Sequence, residues 1–286
     1  MSEQQVHFAM VAGPGEAAMA IDSLRRIRRL YPDSRIFLRE DATTDGTREE
    51  LEAVRDELGL DLSSNPTKNG YHGISRTLFS VLREVADATT GPGIVVKCDP
   101  DGVVATADAH RLAAHLAARP GIVGAVDVAP SGQPRDHRWS RERMLQDVRW
   151  PIGPKKTEKG LRVGYPWWRG AYRAAVANGY RPGTGVQAGV FAMSLDTVRA
   201  LRDSGFLAGM DAPYPFLTYE EDYLLALGTK SVGHELHELW DVLDSWWVQY
   251  KPPVPLTPDE VAVRRPFAVH PLKNTPDGWA LRASLP

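Results

Sequence analysis

The sequence of 286 residues contains only one cysteine, Cys98. A single cysteine cannot form an intramolecular disulfide, and it cannot supply a cysteine-rich zinc or iron–sulfur site. The chain also lacks an excess of either charge, since 34 Lys and Arg residues oppose 36 Asp and Glu residues. Proteins that coat nucleic acid need a basic surplus to neutralise phosphates. We therefore expect no nucleic-acid partner.

Long hydrophobic runs are also missing, because no apolar stretch approaches the roughly 20 residues that cross a bilayer. The N-terminal segment MSEQQVHFAMVAG has no basic flank followed by an apolar signal core. We therefore expect a soluble, cytoplasmic protein without a transmembrane segment. A chain of this length can bury a substantial core in one large domain or in two small ones.

Short apolar segments alternate with amphipathic helices in the first half of the chain. Strands are predicted at 6–11, 35–38, 94–96 and 122–128, and apolar residues at helical spacing lie between them. This alternation predicts an α/β fold with a mostly parallel central sheet flanked by helices. Ligands bind such sheets beyond the carboxyl ends of the strands.

The strongest single motif is IVVKCDPDGVV at 94–104, where an apolar strand leads into Asp99 and Asp101. Two carboxylates one residue apart on a turn suit a hard divalent cation. The same residue types also favour a plain turn for local reasons. A third interpretation is the nucleophile motif of haloacid-dehalogenase phosphatases, which this string resembles. That family carries the motif on its first strand, whereas here it follows several strand–helix units.

Acidic residues also follow the second predicted strand, in RIFLREDATTDGT at 35–47. A carboxylate of Glu40 or Asp41 can accept a hydrogen bond from a nucleobase N–H or from a ribose hydroxyl. Thr47 with Glu50 three residues later has the pattern of a capping box, which predicts that Thr47 caps the next helix.

The segment GPGEAA at 13–18 fits the G-x-G-x-x-A pattern of dinucleotide-binding domains. Pro14 removes one backbone donor from that phosphate cradle, and Glu16 places negative charge where a pyrophosphate would sit. A Rossmann NAD(P)-dependent oxidoreductase is therefore an alternative that this motif alone supports weakly.

Two further groups lie in the second half of the chain. Three acids at 220–222 begin a predicted helix, where their negative charges interact favourably with the helix dipole. One of them can alternatively serve as a general base. His270 follows an apolar stretch and is either a metal ligand or a surface residue. The segment at 130–185 is rich in basic and aromatic residues with weak periodicity, which is typical of an inserted binding segment or lid.

Taken in order, these segments resemble the GT-A fold of glycosyltransferases that use nucleotide sugars, and most of all the family-2-type enzymes. FLREDATTDGT resembles that family's D-D-G-S-x-D-G-T segment, KNGYHGISRTLFSVL its glycine-rich turn into a helix with a basic residue, and VKCDPDG its D-x-D metal motif. GVQAGVFAMSLDTVRAL and YEEDYLLAL resemble its acceptor segment and its E-D base motif, and HPLK contains a histidine in the position of a late metal ligand. The resemblance covers roughly residues 5–128 and 185–273.

The resemblance implies a single GT-A nucleotide-binding sandwich over 1–286. Its parts are a nucleotide-sugar-binding half at 1–128, an inserted acceptor or lid segment at 129–185, and an acceptor half with a C-terminal wrap at 186–286. The implied reaction is metal-dependent transfer of a sugar from a nucleoside diphosphate sugar to a hydroxyl of a carbohydrate or small-molecule acceptor. A UDP-sugar donor and inversion at the anomeric carbon are expected.

The resemblance also assigns roles to residues. The cation, Mn²⁺ or Mg²⁺, is assigned to Asp99, Asp101 and His270. Asp222 is the expected base, with Glu221 as neighbour or substitute, and the acceptor is assigned to Trp167, Trp168 and Arg169. The donor is assigned to Ala12, Gly13, Glu16, Glu40, Asp41, Arg76, Lys97, Asp99 and Lys273.

Overall fold

The computed structural model describes residues 4–70, 73–149, 153–157, 160–164, 167–211 and 221–286. The strands are β1 (Gln5–Ala12), β2 (Ile36–Glu40), β3 (Leu60–Ser64), β4 (Gly93–Cys98), β5 (Val103–Val104), β6 (Gly121–Gly124), β7 (Gly153–Thr157), β8 (Gly160–Gly164), β9 (Val190–Ser194), β10 (Glu235–Glu238), β11 (Trp247–Val248) and β12 (Ala268–His270). The α-helices are α1 (Ala17–Leu30), α2 (Thr47–Ala53), α3 (Arg55–Leu58), α4 (Ile74–Ala88), α5 (Ala109–Ala118), α6 (Arg138–Arg149), α7 (Arg169–Ala177), α8 (Leu195–Asp203), α9 (Glu221–Ser231), α10 (Pro258–Arg264) and α11 (Pro276–Ser284).

Seven of these strands form the central sheet, in the order β10-β6-β9-β4-β1-β2-β3. All neighbouring pairs are parallel except those of β9, which runs antiparallel to both β4 and β6. The prediction of an α/β fold with a mostly parallel sheet flanked by helices is therefore confirmed. The register pairs Ala12 with Glu40 and Ala9 with Lys97, so the carboxyl ends of β1, β2 and β4 meet at one edge of the sheet.

Both faces of this sheet are buried, because side chains that alternate along a strand point to opposite faces. In β1, Ala9 and Val11 pack into one apolar cluster, whereas Phe8 and Met10 pack into the other. Helix α1 covers the second cluster with Ala20, Leu24 and Ile27, which follow helical spacing and are almost fully buried. Complete burial of a side chain such as Leu24 stabilises the fold by roughly 1.5–3 kcal/mol.

A smaller sheet, β11-β12-β5, lies beside the carboxyl end of β4. Strand β12 pairs in parallel with β11 and antiparallel with β5. The turn at 99–102 connects β4 of the large sheet to β5 of the small one, and His270 ends β12. This second sheet therefore brings a residue from the C-terminal part of the chain against the turn that follows β4.

Several local predictions need correction. Thr47 does not cap α2, because the N-cap residue is Gly46 in a left-handed conformation (φ 92°), and the N–H of Thr47 itself donates to Oδ1 of Asp45 at 3.2 Å. The hydroxyl of Thr47 instead accepts the N–H of Gly15 at 3.1 Å. Strand β3 was not predicted, and the predicted strand at 122–128 is shorter, since β6 ends at Gly124. The boundaries proposed at 128 and 185 stay predictions.

Among the described helices, none is long and apolar enough to cross a membrane.

Candidate metal and donor site

A cleft with a volume of about 530 Å³ lies at the carboxyl ends of β1, β2 and β4. Its lining combines several carboxylates with fewer amino groups. The ammonium group of the buried Lys97 lies directly behind the lining. Within the described part of the chain, the acids of the lining are Glu16, Asp41, Asp99, Asp101, Glu221 and Asp222, and the lysines are Lys251 and Lys273.

The turn after β4 presents two of these carboxylates. The N–H of Gly102 donates to the carbonyl of Asp99 at 2.8 Å, which closes a four-residue turn. Asp at the first position, Pro at the second and Gly at the fourth are the residues that a type I turn favours. The N–H of Asp99 also donates to the carbonyl of Gly189 at 2.9 Å. The backbone of residues 99–102 therefore forms a turn, and this turn places the side chains of Asp99 and Asp101 in the cleft.

Asp99, Asp101 and His270 form a compact group of possible metal ligands. One ligand atom from each residue lies within 4.8 Å of the others. Nε2 of His270 lies 3.2 Å from Oδ1 of Asp101 and 3.7 Å from Oδ2 of Asp99. The three residues that the sequence assigned to the cation therefore meet in the structure.

The imidazole of His270 is oriented by contacts on its other side. Its Nδ1 atom lies 2.9 Å from the carbonyl oxygen of Gln249. A carbonyl can only accept, so Nδ1 donates this bond, and Nε2 is the ring nitrogen that faces the two aspartates. Gly189 lies against this ring, and a Cβ at that position would come within 2.1 Å of Nδ1.

Lysine side chains pair with both aspartates. Nζ of Lys97 lies 2.5 Å from Oδ1 of Asp99 and also donates to the carbonyl of Ala188. Lys97 is only 1% exposed, so its ammonium is a fixed internal charge and does not line the cleft. Burial lowers the pKa of Lys97, but the negative charges of Asp99 and Glu221 outweigh that effect and raise it.

Lys273 approaches from the open side, with Nζ 2.5 Å from Oδ2 of Asp101 and half of its side chain exposed. Burial acts to raise the pKa of Asp101, but hydrogen bonds and charge from His270 and Lys273 hold it well below its usual range. Asp101 is therefore an ionised carboxylate in the cleft, and Lys273 is its exposed counter-charge.

Glu40 and Asp41 end β2, but they have different surroundings. Oδ1 of Asp41 accepts the N–H of Asn69 at 2.9 Å and Nδ2 of Asn65 at 2.7 Å, and Oδ2 accepts the N–H of Gly70 at 2.7 Å. Asp41 thus organises the loop that follows β3 and also lines the cleft. Glu40 is fully buried and binds the N–H of Thr43, and its Oε2 has no hydrogen-bond partner within the described residues.

The turn after β1 is closed by its own glutamate. Oε2 of Glu16 accepts the N–H of Gly13 at 2.6 Å. Burial, together with the charges of Asp99 and Asp101, raises the pKa of Glu16 although the Gly13 bond opposes the shift. Ala12 is buried, and its carbonyl accepts the N–H of Asp41 at 3.0 Å, which ties the ends of β1 and β2 together.

Glu221 and Asp222 begin α9 and line the cleft from the opposite half of the chain. Glu221 is 6% exposed, and burial and the charge of Asp222 raise its pKa while Lys97 opposes the shift. The carbonyl of Asp222 accepts the N–H of Val186 at 3.1 Å, which fixes the start of the helix. Glu220, the first of the three acids, lies outside the described residues.

The structure brings most of the predicted donor and metal residues together, but seven assigned residues lie outside the described cleft lining. Three of them, described above, are Ala12, Glu40 and Lys97, and the other four are Arg76, Trp167, Trp168 and Arg169. Arg76 donates through Nε to the carbonyl of Met210 at 2.9 Å. Trp168 is fully buried in the core, and Trp167 packs edge-on against Phe206 with ring centres 5.0 Å apart. Arg169 begins α7 and is half-buried. Their contacts with donor or acceptor stay predictions.

Sequence reasoning missed four polar residues of the lining, Thr77, Gln187, Tyr250 and Lys251. Thr77 lies on α4, and Gln187 lies in the irregular segment before β9. Tyr250 and Lys251 follow β11, a two-residue strand too short to be recognised from periodicity. Their only sequence signal is their position next to the proline-rich segment at 252–258.

Neither a protein-family model nor a curated protein sequence matches this chain. Several solved structures are similar to it at low identity. A mannosyltransferase from Pyrobaculum calidifontis, in complex with GDP-Man and Mn²⁺, is 15% identical with a TM-score of 0.46 and is matched over 99% of this chain and 61% of its own. TarS 1–349 from S. aureus, in complex with UDP-GlcNAc, is 12% identical with a TM-score of 0.46 over 90% of this chain and 64% of its own. The bifunctional glycosyltransferase WbbM is 13% identical with a TM-score of 0.45 over 83% of this chain and 39% of its own.

The chain therefore spans less than two thirds of the length of each of these three proteins. At this level of similarity, the functional interpretation rests on the side chains of the cleft.

Proposed function

We propose that the chain is a glycosyltransferase that moves a sugar from a nucleoside diphosphate sugar to an acceptor hydroxyl. The observation that carries this proposal is the meeting of Asp99, Asp101 and His270 in a cleft at the carboxyl ends of β1, β2 and β4. In sheets of this kind, that edge is where ligands bind.

The residues present fit a divalent cation. Two carboxylates and one imidazole nitrogen supply oxygen and nitrogen ligands of the kind that Mn²⁺ and Mg²⁺ sites use. The bond from Nδ1 of His270 to the carbonyl of Gln249 leaves Nε2 as the ring nitrogen that faces the carboxylate oxygens. Asp99, Asp101 and His270 would hold the cation, and when bound it would neutralise the charge that develops on a departing diphosphate.

The lysines of the site suit a diphosphate. Lys273 keeps half of its side chain exposed beside Asp101, so its ammonium can turn from that carboxylate to a phosphate oxygen. Lys251 lines the same cleft and carries a second positive charge. Lys97 is buried and paired, and its role in this proposal is to hold Asp99 in place from behind.

We assign activation of the acceptor hydroxyl to the acids of α9. Asp222 lines the cleft, and we assign it the removal of the proton from the acceptor hydroxyl. Glu221 is more deeply buried and has a raised pKa, so it is a neighbour that can hold a proton at a higher pH than an ordinary glutamate. A single base opposite the leaving group corresponds to in-line displacement of the diphosphate by the acceptor hydroxyl. Such a displacement inverts the configuration at the anomeric carbon.

One contact favours this proposal over a dinucleotide-binding oxidoreductase. The N–H of Gly13 would have to bind pyrophosphate in a Rossmann fingerprint, but it donates to the carboxylate of Glu16 at 2.6 Å. A carboxylate already occupies the position of the anion, and a second anion there would be repelled.

Thermal shift with defined ligands tests the proposal, because ligands that bind the native state raise its stability. We expect UDP or GDP to raise Tm only when Mn²⁺ or Mg²⁺ is present. NAD(H) that raises Tm without metal, or hydrolysis of a phosphate monoester without a nucleotide sugar, would contradict it.

A second experiment tests the role of α9. Asp222→Asn should retain nucleotide binding and lose sugar transfer by about 10²- to 10⁴-fold, the range of general-base contributions. Asp241→Asn, at an exposed position, is the matched control and should transfer sugar like the wild type. Full activity of Asp222→Asn would remove Asp222 from the reaction.

A further inference from the structure

The backbone carbonyls of the turn at 99–102 are all hydrogen-bonded, and two of their donors are side chains from distant helices. Two donors are backbone groups: the N–H of Gly102 binds the carbonyl of Asp99, and the N–H of Leu272 binds the carbonyl of Asp101 at 2.6 Å. The side-chain donors are Nη2 of Arg282, 2.6 Å from the carbonyl of Pro100, and Oγ of Ser23, 2.6 Å from the carbonyl of Gly102.

Arg282 and Ser23 form one buried network between α11 and α1. Arg282 is 1% exposed and Ser23 is fully buried. Nη1 of Arg282 lies 2.8 Å from Oδ2 of Asp22 and 3.1 Å from Oγ of Ser23. Ser23 therefore accepts from the guanidinium and donates to the turn, so a fixed charge and a fixed hydroxyl reach the turn together.

The C-terminal helix that carries Arg282 is itself tied to α1. Arg26 of α1 donates through Nη2 to the carbonyl of Arg282 at 2.8 Å and through Nη1 to the carbonyl of Leu285 at 3.1 Å. Arg26 also pairs with Asp22 at 3.3 Å. The end of α11 is thus held where its arginine meets the turn.

We propose that Arg282 and Ser23 are positioning residues for the cation, and that they fix the carboxylates of Asp99 and Asp101 by holding the carbonyls of the same turn. This inference rests on the proposed function, since it concerns the cation of that reaction. The carbonyls of Pro100 and Gly102 contact α11 and α1, and the carboxylates of Asp99 and Asp101 line the cleft. A shift of the turn backbone therefore moves both ligands relative to His270.

The network has a reason to be rigid. A buried guanidinium is costly unless its N–H groups are hydrogen-bonded. Here Nη1 and Nη2 bind the turn, Ser23 and Asp22, whereas Nε has no partner within the described residues. Groups outside the ligands of a metal site typically change metal affinity by about 10- to 100-fold when they are removed. The last helix of the chain thereby becomes part of the metal site although none of its side chains is a ligand.

The test measures Mn²⁺ affinity by electron paramagnetic resonance in Arg282→Met, Arg282→Lys and Ser23→Ala. We expect Kd to rise about 10- to 100-fold in Arg282→Met, by less in Ser23→Ala, and to recover in part in Arg282→Lys, which keeps one donor. The control is Arg25→Met on α1, the helix that carries Ser23. It removes an exposed ion pair with Glu57 and should leave the Kd for Mn²⁺ unchanged. Circular dichroism establishes that each variant is folded, and Ser23→Ala keeps the test decisive where Arg282→Met fails to fold.

A second readout needs no metal. Hydrogen exchange of the peptide that covers 99–104 in the metal-free protein should be faster in Ser23→Ala than in wild type and unchanged in Arg25→Met. The proposal requires both effects: native Mn²⁺ affinity in folded variants, or native exchange of this peptide, overturns it. Absence of Mn²⁺ binding in the wild type itself would count against the proposed function, and the exchange comparison would then decide alone whether the two residues hold the turn.

Discussion

Nε2 of His270 lies 3.2 Å from Oδ1 of Asp101, at the point where the small sheet meets the large one. His270 ends β12, and Asp101 lies in the turn that connects β4 to β5. Strands β12 and β5 are paired antiparallel, with Val269 opposite Val103. The contact is therefore set by a backbone ladder, which places a late residue of the chain beside an early one.

His270 should be needed for metal binding. In His270→Ala the imidazole ligand is lost, and we expect Mn²⁺ affinity to fall at least about 10-fold. Removal of a residue that only hydrogen-bonds a metal ligand already lowers metal affinity by about that much. His110→Ala is the control, because His110 is an exposed residue of α5. Isothermal titration calorimetry measures both. Equal affinities of the two variants would remove His270 from the ligand set.

Gly189 should be needed for the orientation of that histidine. A Cβ at this position would come within 2.1 Å of Nδ1 of His270, so Gly189→Ala must displace the ring and weaken Mn²⁺ binding. Gly170→Ala adds the same methyl group in α7, where no atom of another described residue lies within 4 Å of it. That control should bind Mn²⁺ normally. Native affinity in Gly189→Ala would show that the ring does not need this contact.

Lys97 should contribute to stability as well as to the site. Lys97→Met leaves the carboxylates of Asp99 and Glu221 without their buried counter-charge. Removing one partner of a buried ion pair typically costs 3–5 kcal/mol, and we expect roughly 3 kcal/mol because Asp99 is partly exposed. Urea unfolding measures the loss. The exposed pair of Arg25 and Glu57 provides the comparison, and Arg25→Met should change stability little.

Glu221 should make stability depend on pH in a definite direction. Burial raises its pKa above the ordinary value of 4.5, so the folded protein binds this proton more tightly than the unfolded chain. The contribution of Glu221 is therefore complete below pH 4.5 and decreases as pH rises towards the folded pKa. Asp222 strengthens this trend, and Lys97 opposes it.

Glu221→Gln removes the titration and keeps the shape of the side chain. We expect the free energy of unfolding of the wild type to fall relative to that of Glu221→Gln as pH rises above 4.5. Denaturant unfolding at several pH values, with Glu49→Gln as an exposed control on α2, measures the difference. A constant difference across this range would contradict the assignment.

Strands β1, β2 and β4 of the central sheet were predictable because they carry continuous apolar runs. The segments predicted at 6–11 and 94–96 became β1 and β4, and the acids that follow them reached the same edge. Parallel strands put their carboxyl ends together, so the position of Asp99 and Asp101 followed from the pattern alone. His270 joined them through the small sheet, whose two- and three-residue strands carry no periodicity.

Local hydrogen-bond partners were harder to predict, as two similar segments illustrate. Thr47 and Thr257 are each followed three residues later by a glutamate. Thr257 and Glu260 form a capping box, with the hydroxyl accepting the N–H of Glu260 at 3.2 Å and the glutamate accepting the N–H of Thr257 at 2.8 Å. Thr47 instead binds Gly15, which packs beside it from a distant part of the sequence.

Arg282 could not be recognised from the sequence for the same reason. Its environment in the sequence is a short helix near the C-terminus, and arginine in such a helix is usually exposed. Its partners Ser23 and Pro100 come from two other parts of the chain. Only the packing of α11 on α1 and on the turn gives that arginine its contacts.

The most direct test of the account is to locate Mn²⁺ by anomalous scattering in crystals grown with MnCl₂ and UDP or GDP. The account predicts an anomalous peak bound by a carboxylate oxygen of Asp99, a carboxylate oxygen of Asp101 and Nε2 of His270, with the diphosphate of the nucleotide on its open side and Lys273 in contact with a phosphate. Nucleotide bound with its diphosphate away from these residues, or Mn²⁺ found elsewhere while the three side chains keep only their mutual contacts, would contradict it.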